Sequence, residues 1–184
     1  MNALRARLVA AAIGGAVLLT AAATTTVANA GADGDSSSIR ERLSGYQEDP
    51  LTLSTSGTGR FVAQVNTAAQ EISYRLSYSA LEGSVQQAHI HLGQRAQSGG
   101  ISVFLCTNLG NGPAGTQACP AAPATITGVI RPANVIGPNA APFVQGISAG
   151  QFSELVKAIR SEVTYVNVHS TLYPGGEIRA QLAD

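Results

Sequence analysis

The sequence predicts a mostly β protein, an antiparallel, Greek-key-like β-sandwich with one short α-helix. Three observations lead there. Apolar and polar residues alternate with a period of two in several short runs, as where Ile72, Tyr74, Leu76 and Tyr78 interleave with Ser73, Arg75 and Ser77. A single stretch, Phe152 to Ile159, has the period of an amphipathic helix. The runs are divided by turn residues rather than by helices, which argues against a parallel α/β sheet.

The chain starts with a segment set apart from this pattern. Arg5 and Arg7 precede an Ala-rich apolar run from about Leu8 to Ala23, and Ala28-Asn29-Ala30 gives the small-x-small pattern of a signal peptidase site. The run falls short of the ~20 residues of a membrane span. Residues 1–30 are therefore read as a secretory leader. The expected location is extracellular, free or held at the cell envelope, with no transmembrane segment after the leader. Residues 31–39 are small, polar and acidic and read as a flexible lead-in. The folded domain is expected over residues 40–184.

The elements follow in order. Arg40 to Gln47 opens the fold as a strand that turns before Pro50. Leu51 to Gly59 is rich in Ser, Thr and Gly and reads as a loop or an edge. Gly59 to Val65 puts Phe61, Ala63 and Val65 on one face, and Asn66 to Gln70 turns the chain into the strand Glu71–Ser79. Val85 to Leu92 is the next strand, followed by a polar loop, Gln94–Gly100. Ile101 to Cys106 is almost continuously apolar, as a deeply buried strand should be. Ala124 to Arg131 alternates Thr with Ala, Ile and Val. In the helix, Phe152, Leu155, Val156 and Ile159 share a face, and Ser148 is the candidate cap. Thr164–His169 and Glu177–Leu182 close the chain through Tyr173-Pro174-Gly175-Gly176, where Pro-Gly favours a type II turn.

Two cysteines remain in an exported chain, where thiols oxidise. Cys106 and Cys119 flank a loop rich in Gly, Asn and Pro and are read as a disulfide that closes it. Their separation matches no CxxC metal pattern.

Charge narrows the partners. Across residues 31–184 there are nine Lys and Arg against eleven Asp and Glu. The net charge of −2 and the lack of any Lys/Arg run argue against nucleic acid or an anionic membrane as partner.

Chemistry concentrates in the histidines. His89 and His91 lie two apart in a strand, so they project from one face. The third, His169, ends another strand. Together they form a candidate metal site for copper or zinc, whose ligands are commonly neutral imidazoles. Glu177, across the presumed hairpin from His169, is the candidate fourth ligand or the group orienting a ring. Glu48, in its turn, is a lesser candidate. The alternative is a hydrogen-bonded polar cluster of the same histidines with Asn167, Tyr165 and Glu177. No catalytic residue is assigned. Gly110-Asn111-Gly112-Pro113-Ala114-Gly115 fits the G-x-G-x-x-G expression, but no helix opens after it and no acidic residue follows about twenty positions on. No Gly-x-Ser-x-Gly elbow is present.

Four segments resemble one family: Leu43 to Pro50, Ala88-His89-Ile90-His91-Leu92-Gly93, Gln151 to Leu155, and Tyr165 to Leu182. Together they resemble the CHRD domain, named for its repeats in chordin and common in exported bacterial proteins. The resemblance implies a β-sandwich in a secreted or envelope-exposed protein and no general activity. It departs at Gln94–Ser98, where the family is often rich in Gly and Pro, and at the cysteine-bearing insert. His-x-His-x-Gly is also similar to the copper-site strand of copper–zinc superoxide dismutases, whose further ligands this chain lacks. The functional expectation is a secreted interaction module. Its partner would be an extracellular or envelope protein or ligand, met through Gln94–Gly100, Thr107–Ala118 or Arg131–Gly146. The rival expectation is a metalloprotein built on the three histidines.

Overall fold

The computed structural model describes residues 36–140 and 142–183. The expected leader, residues 1–30, lies outside the described residues. The strands are β1 (Ser36–Ser44), β2 (Thr58–Asn66), β3 (Glu71–Ser79), β4 (Val85–Leu92), β5 (Ile101–Thr107), β6 (Ala124–Ile130), β7 (Asn139–Ala140), β8 (Phe143–Val144), β9 (Thr164–Ser170) and β10 (Ile178–Gln181). The helix α1 spans Phe152–Arg160. Eight strands form one sheet in the order β5-β4-β9-β10-β1-β2-β3-β6, and β7 pairs with β8 alone. Every pairing is antiparallel.

The period-two runs become strands because one side of each is apolar. Ile39, Phe61, Leu76, Ile126, Ile90, Val166 and Ile178 come from seven different strands and meet in one core. α1 lays Phe152, Leu155, Val156 and Ile159 onto the same core. The sheet is not two separate layers. It curls until its outer strands, β5 and β6, approach each other, giving a barrel-like form of the expected β class.

Gln117 bridges that seam. Its side-chain amide donates to Leu105 O of β5 at 3.1 Å and to Thr127 O of β6 at 3.2 Å. Its own carbonyl accepts from Thr107 N at 2.9 Å. Unpaired strand edges are thereby covered. The disulfide joins Cys106 at the end of β5 to Cys119, with Cα atoms 5.1 Å apart, and holds this loop to the strand it serves. Part of the segment expected to be a free recognition loop is therefore a closure for the sheet.

Three boundaries differ from expectation. β1 begins at Ser36, not at Arg40, because Ile39 pairs with Ala63 and is fully buried. The lead-in is thus partly strand. Within Arg131–Gly146, read as loop, Asn139–Ala140 and Phe143–Val144 form a small hairpin. Ser148 does not cap α1. The N-cap position is Gln151, whose side chain instead accepts from the Ser148 amide at 2.7 Å.

β9 and β10 are buried on both faces. Their inner residues are apolar apart from Thr164 and Ser170 at the ends of β9, while their outer residues, Tyr165, Asn167, His169, Arg179 and Gln181, are polar and still covered. The 93–100 loop supplies the cover. Arg179 donates to Gln94 O and Gln97 O, at 2.8 and 3.1 Å, and Gln181 Nε2 donates to Gly93 O at 2.9 Å.

Replacing both cysteines, as Cys106→Ser with Cys119→Ser, is expected to lower stability by about 2–4 kcal/mol in urea unfolding, the usual effect of freeing such a loop. Gln117→Ala, with the disulfide intact, should lower it by about 0.5–1.5 kcal/mol, since Leu105 O keeps the Tyr74 hydroxyl and Thr127 O is open to water.

Candidate metal centre

The outer layer over β4, β9 and β10 brings all three histidines together. In the ladder His89 stands opposite Asn167, His91 opposite Tyr165, and Gln87 opposite His169. Residues opposed in an antiparallel pair share a face, so the three rings converge on one patch. Ring centroids of His89 and His169 are 5.0 Å apart, and those of His89 and His91 5.3 Å. One ligand atom from each lies within 4.8 Å of the others. Ligands sharing a zinc ion at 2.0–2.1 Å would sit about 3.3 Å apart. His89 Nδ1 and His169 Nε2 already do, at 3.2 Å.

Hydrogen bonds decide which nitrogens are free. His91 Nδ1 lies 2.9 Å from Gly99 O, and His169 Nδ1 lies 2.9 Å from Pro174 O. A carbonyl oxygen only accepts, so both Nδ1 atoms bear hydrogen and both Nε2 atoms of the neutral rings present lone pairs. His91 Nε2 is buried without a partner, as is His89 Nε2. His169 Nε2 faces both His89 Nδ1 and, at 3.0 Å, Asn167 Oδ1. An amide oxygen against an imidazole lone pair is not a hydrogen bond. It is relieved by a turned amide or by a cation between the two.

The rings are packed as well as bonded. His91 stacks on Tyr165, centroids 4.7 Å apart with the planes 3° from parallel. The Arg179 guanidinium carbon lies 3.5 Å from the same Tyr165 ring. Phe104 meets His89 edge-on at 4.4 Å. Two irregularities in the β4–β5 register, at Ala88/His89 and Ile90/His91, place Phe104 there.

Burial keeps the cluster uncharged. It lowers His89 to about 2, helped by the neighbouring His169 and His91. It lowers His91 to about 4, against the Gly99 hydrogen bond, and His169 to about 4, against the Pro174 hydrogen bond. All three are neutral near pH 7, the form that binds metal. Burial raises Glu48 to about 8 despite the nearby Arg179 charge.

Neither acidic candidate belongs to the three-histidine group. The Glu177 carboxylate accepts from the Glu82 amide at 2.6 Å and the Gly83 amide at 3.5 Å, so it pins the turn before β4. It is outside the three-histidine group, and its assignment as fourth ligand or ring-orienting partner is withdrawn. Pro174 O does the orienting of His169 instead. Glu48 packs beside Asn167. A side chain at Gly176 would lie 2.6 Å from both Glu48 oxygens and 2.8 Å from Asn167 Nδ2, and Gly176 itself has a φ of +134°. Sequence reading missed Gly99 and Pro174, since a backbone carbonyl has no residue-type signature. Their only trace is the Gly and Pro content of the two loops.

A cavity of about 390 Å³ borders the cluster at His91, lined also by Gly99, Gly100, Ile101, Pro138 and Phe143.

The family model of the CHRD domain matches residues 39–182. The chain belongs to the CHRD family. No curated protein and no solved structure matches it. The match takes in all three histidines, Glu48 and both cysteines. No helix among the described residues of this CHRD protein is long and apolar enough to cross a membrane.

The titrations predict a stability maximum near neutrality. Unfolded histidines take protons near pH 6.5 and the folded ones only near 4 or below, so acidification between those values favours the unfolded chain. Glu48 acts oppositely: its folded proton is held up to about 8 against 4.5 unfolded, so its contribution is lost as pH rises through that window. Three groups outweigh one below pH 6.5. Melting temperature in EDTA should therefore climb from pH 4 to about 6.5 and then decline toward 8. Glu48→Gln should abolish the decline and keep the climb.

Proposed function

We propose that this protein is an exported CHRD-type binding module that holds one zinc or copper ion on His89, His91 and His169. The family supports the coarser part, since CHRD domains are in general extracellular interaction modules. The observation that carries the finer part is the pair of Nδ1–H···O=C bonds to Gly99 and Pro174. They turn two Nε2 lone pairs inward, the arrangement in which protein imidazoles are oriented for metal. Zinc and copper suit such a set of imidazoles.

A polar cluster held by hydrogen bonds alone accounts for less. It leaves His89 Nε2 and His91 Nε2 buried and unmatched. Unmatched buried polar atoms are unfavourable by about 1–3 kcal/mol each. An ion held by His89 Nδ1, His91 Nε2 and His169 Nε2 gives the His91 lone pair a partner. Three imidazoles leave a fourth tetrahedral position, for which Asn167 Oδ1, 3.0 Å from His169 Nε2, is the nearby oxygen. The interaction partner of the module is an extracellular or envelope molecule whose identity this centre does not specify.

Metal analysis of the purified exported protein is expected to give one ion per chain. Added zinc or copper should raise the melting temperature of the EDTA-treated protein. At a hundredfold excess over Kd the gain is about 2.7 kcal/mol. His169→Ala should abolish both effects and Glu177→Gln neither. Absence of bound metal together with an unshifted melt would reduce the site to a polar cluster.

A further inference from the structure

The sequence contains no run of basic residues, yet the curled sheet assembles one. Arg40 and Arg42 alternate along β1 with Ile39, Glu41 and Leu43, and so lie on its outer face. Arg42 stands directly opposite Arg60 on β2. Arg40 stands opposite Val62, and Val62 opposite Arg75 on β3. All four arginines are exposed. Glu41, between two of them in sequence, is opposite Phe61 and belongs to the other side of the sheet. The ion pairs among the described residues are Arg131–Glu71 and Lys157–Glu154, and neither includes these arginines.

Like charges set directly across a sheet destabilise it. Arg42 and Arg60 form such a pair without a carboxylate in their row, where the next residues are Ser77 and Thr125. The surroundings are hydroxyl-rich. Arg42, Arg60, Thr58, Ser77, Ser79 and Thr125 line an open groove of about 630 Å³.

We propose that this face of β1, β2 and β3 binds an acidic linear polysaccharide. Arg42 and Arg60 lie about 5 Å apart on adjacent strands, Arg40 and Arg75 about 10 Å apart across two, and Arg40 and Arg42 about 7 Å apart along β1, spacings that suit one anionic group per sugar or per pair of sugars. Guanidinium pairs bidentately with sulfate or carboxylate oxygens. The flanking serines and threonines offer donors and acceptors to sugar hydroxyls. Other polyanions fit less well. The outer positions of β1, β2, β3 and β6 hold no aromatic ring, so single-stranded nucleic acid finds nothing to stack on. Their apolar side chains are two valines, Val62 and Val129, with no leucine-sized or aromatic anchor for a membrane surface. The inference is independent of the metal centre.

The test uses the exported protein in EDTA, so that metal takes no part, and titrates it with dextran sulfate, neutral dextran and poly(dT). Dextran sulfate should bind with an affinity that falls as salt rises, while neutral dextran should not bind. Arg42→Ser with Arg60→Ser should weaken binding at least tenfold and leave the melting temperature equal or higher, because it removes a repulsive pair. Arg40→Ser with Arg75→Ser should weaken binding in the neighbouring row, and Lys157→Ser on α1 should leave it unchanged. The proposal is overturned if dextran sulfate binds no better than dextran. It is equally overturned if both double variants keep full affinity, or if poly(dT) binds as tightly as dextran sulfate.

Discussion

Two hydrogen bonds, from His91 to Gly99 O and from His169 to Pro174 O, set the terms for the whole outer layer. Each takes a ring that would otherwise be free to choose its tautomer and fixes it. Each also ties a loop down onto the sheet. The first loop can lie that close because it is rimmed by glycine. A side chain at Gly99 would collide with the Leu92 carbonyl, and one at Gly93 would press on the Tyr165 ring at 2.9 Å. Ring orientation and loop placement are therefore one constraint, and Arg179, bonded to the same loop while resting on Tyr165, shares it.

A layer of this kind is unusual because it is polar and buried at once. Buried polar groups are tolerated when they are paired, and ionisable ones when they neutralise. Both rules operate here. The histidines shed their protons, Glu48 keeps its own, and the Arg179 charge is spread over a ring face and two carbonyls. Among the buried polar atoms of this layer left without a partner are two imidazole nitrogens, His89 Nε2 and His91 Nε2, beside Glu48 Oε1 and Gln181 Oε1.

One sheet presents two outer surfaces of opposite character. Over β4, β9 and β10 the surface is covered, neutral and rich in imidazole. Over β1, β2 and β3 it is open and cationic. The two belong to one continuous ladder, joined where Ser44 of β1 pairs with Arg179 of β10. Closure of the far seam by Gln117 lets a single curled sheet carry both without exposing a long edge.

The sequence by itself determined the eight strands of the main sheet in outline, the helix, the disulfide partners and the shared face of His89 and His91. These are local facts: side-chain alternation, helical spacing and pairing of the two cysteines need only near neighbours along the chain. Tertiary structure alone decided that His169 joins them, that Glu177 serves the Glu82 turn while Glu48 moves in beside Asn167, and that four scattered arginines become neighbours. Which strand lies beside which, and which backbone carbonyl meets which ring, are set by the curl of the sheet and by loop packing. Those are long-range conditions, and no pattern of residue types along the chain encodes them one by one.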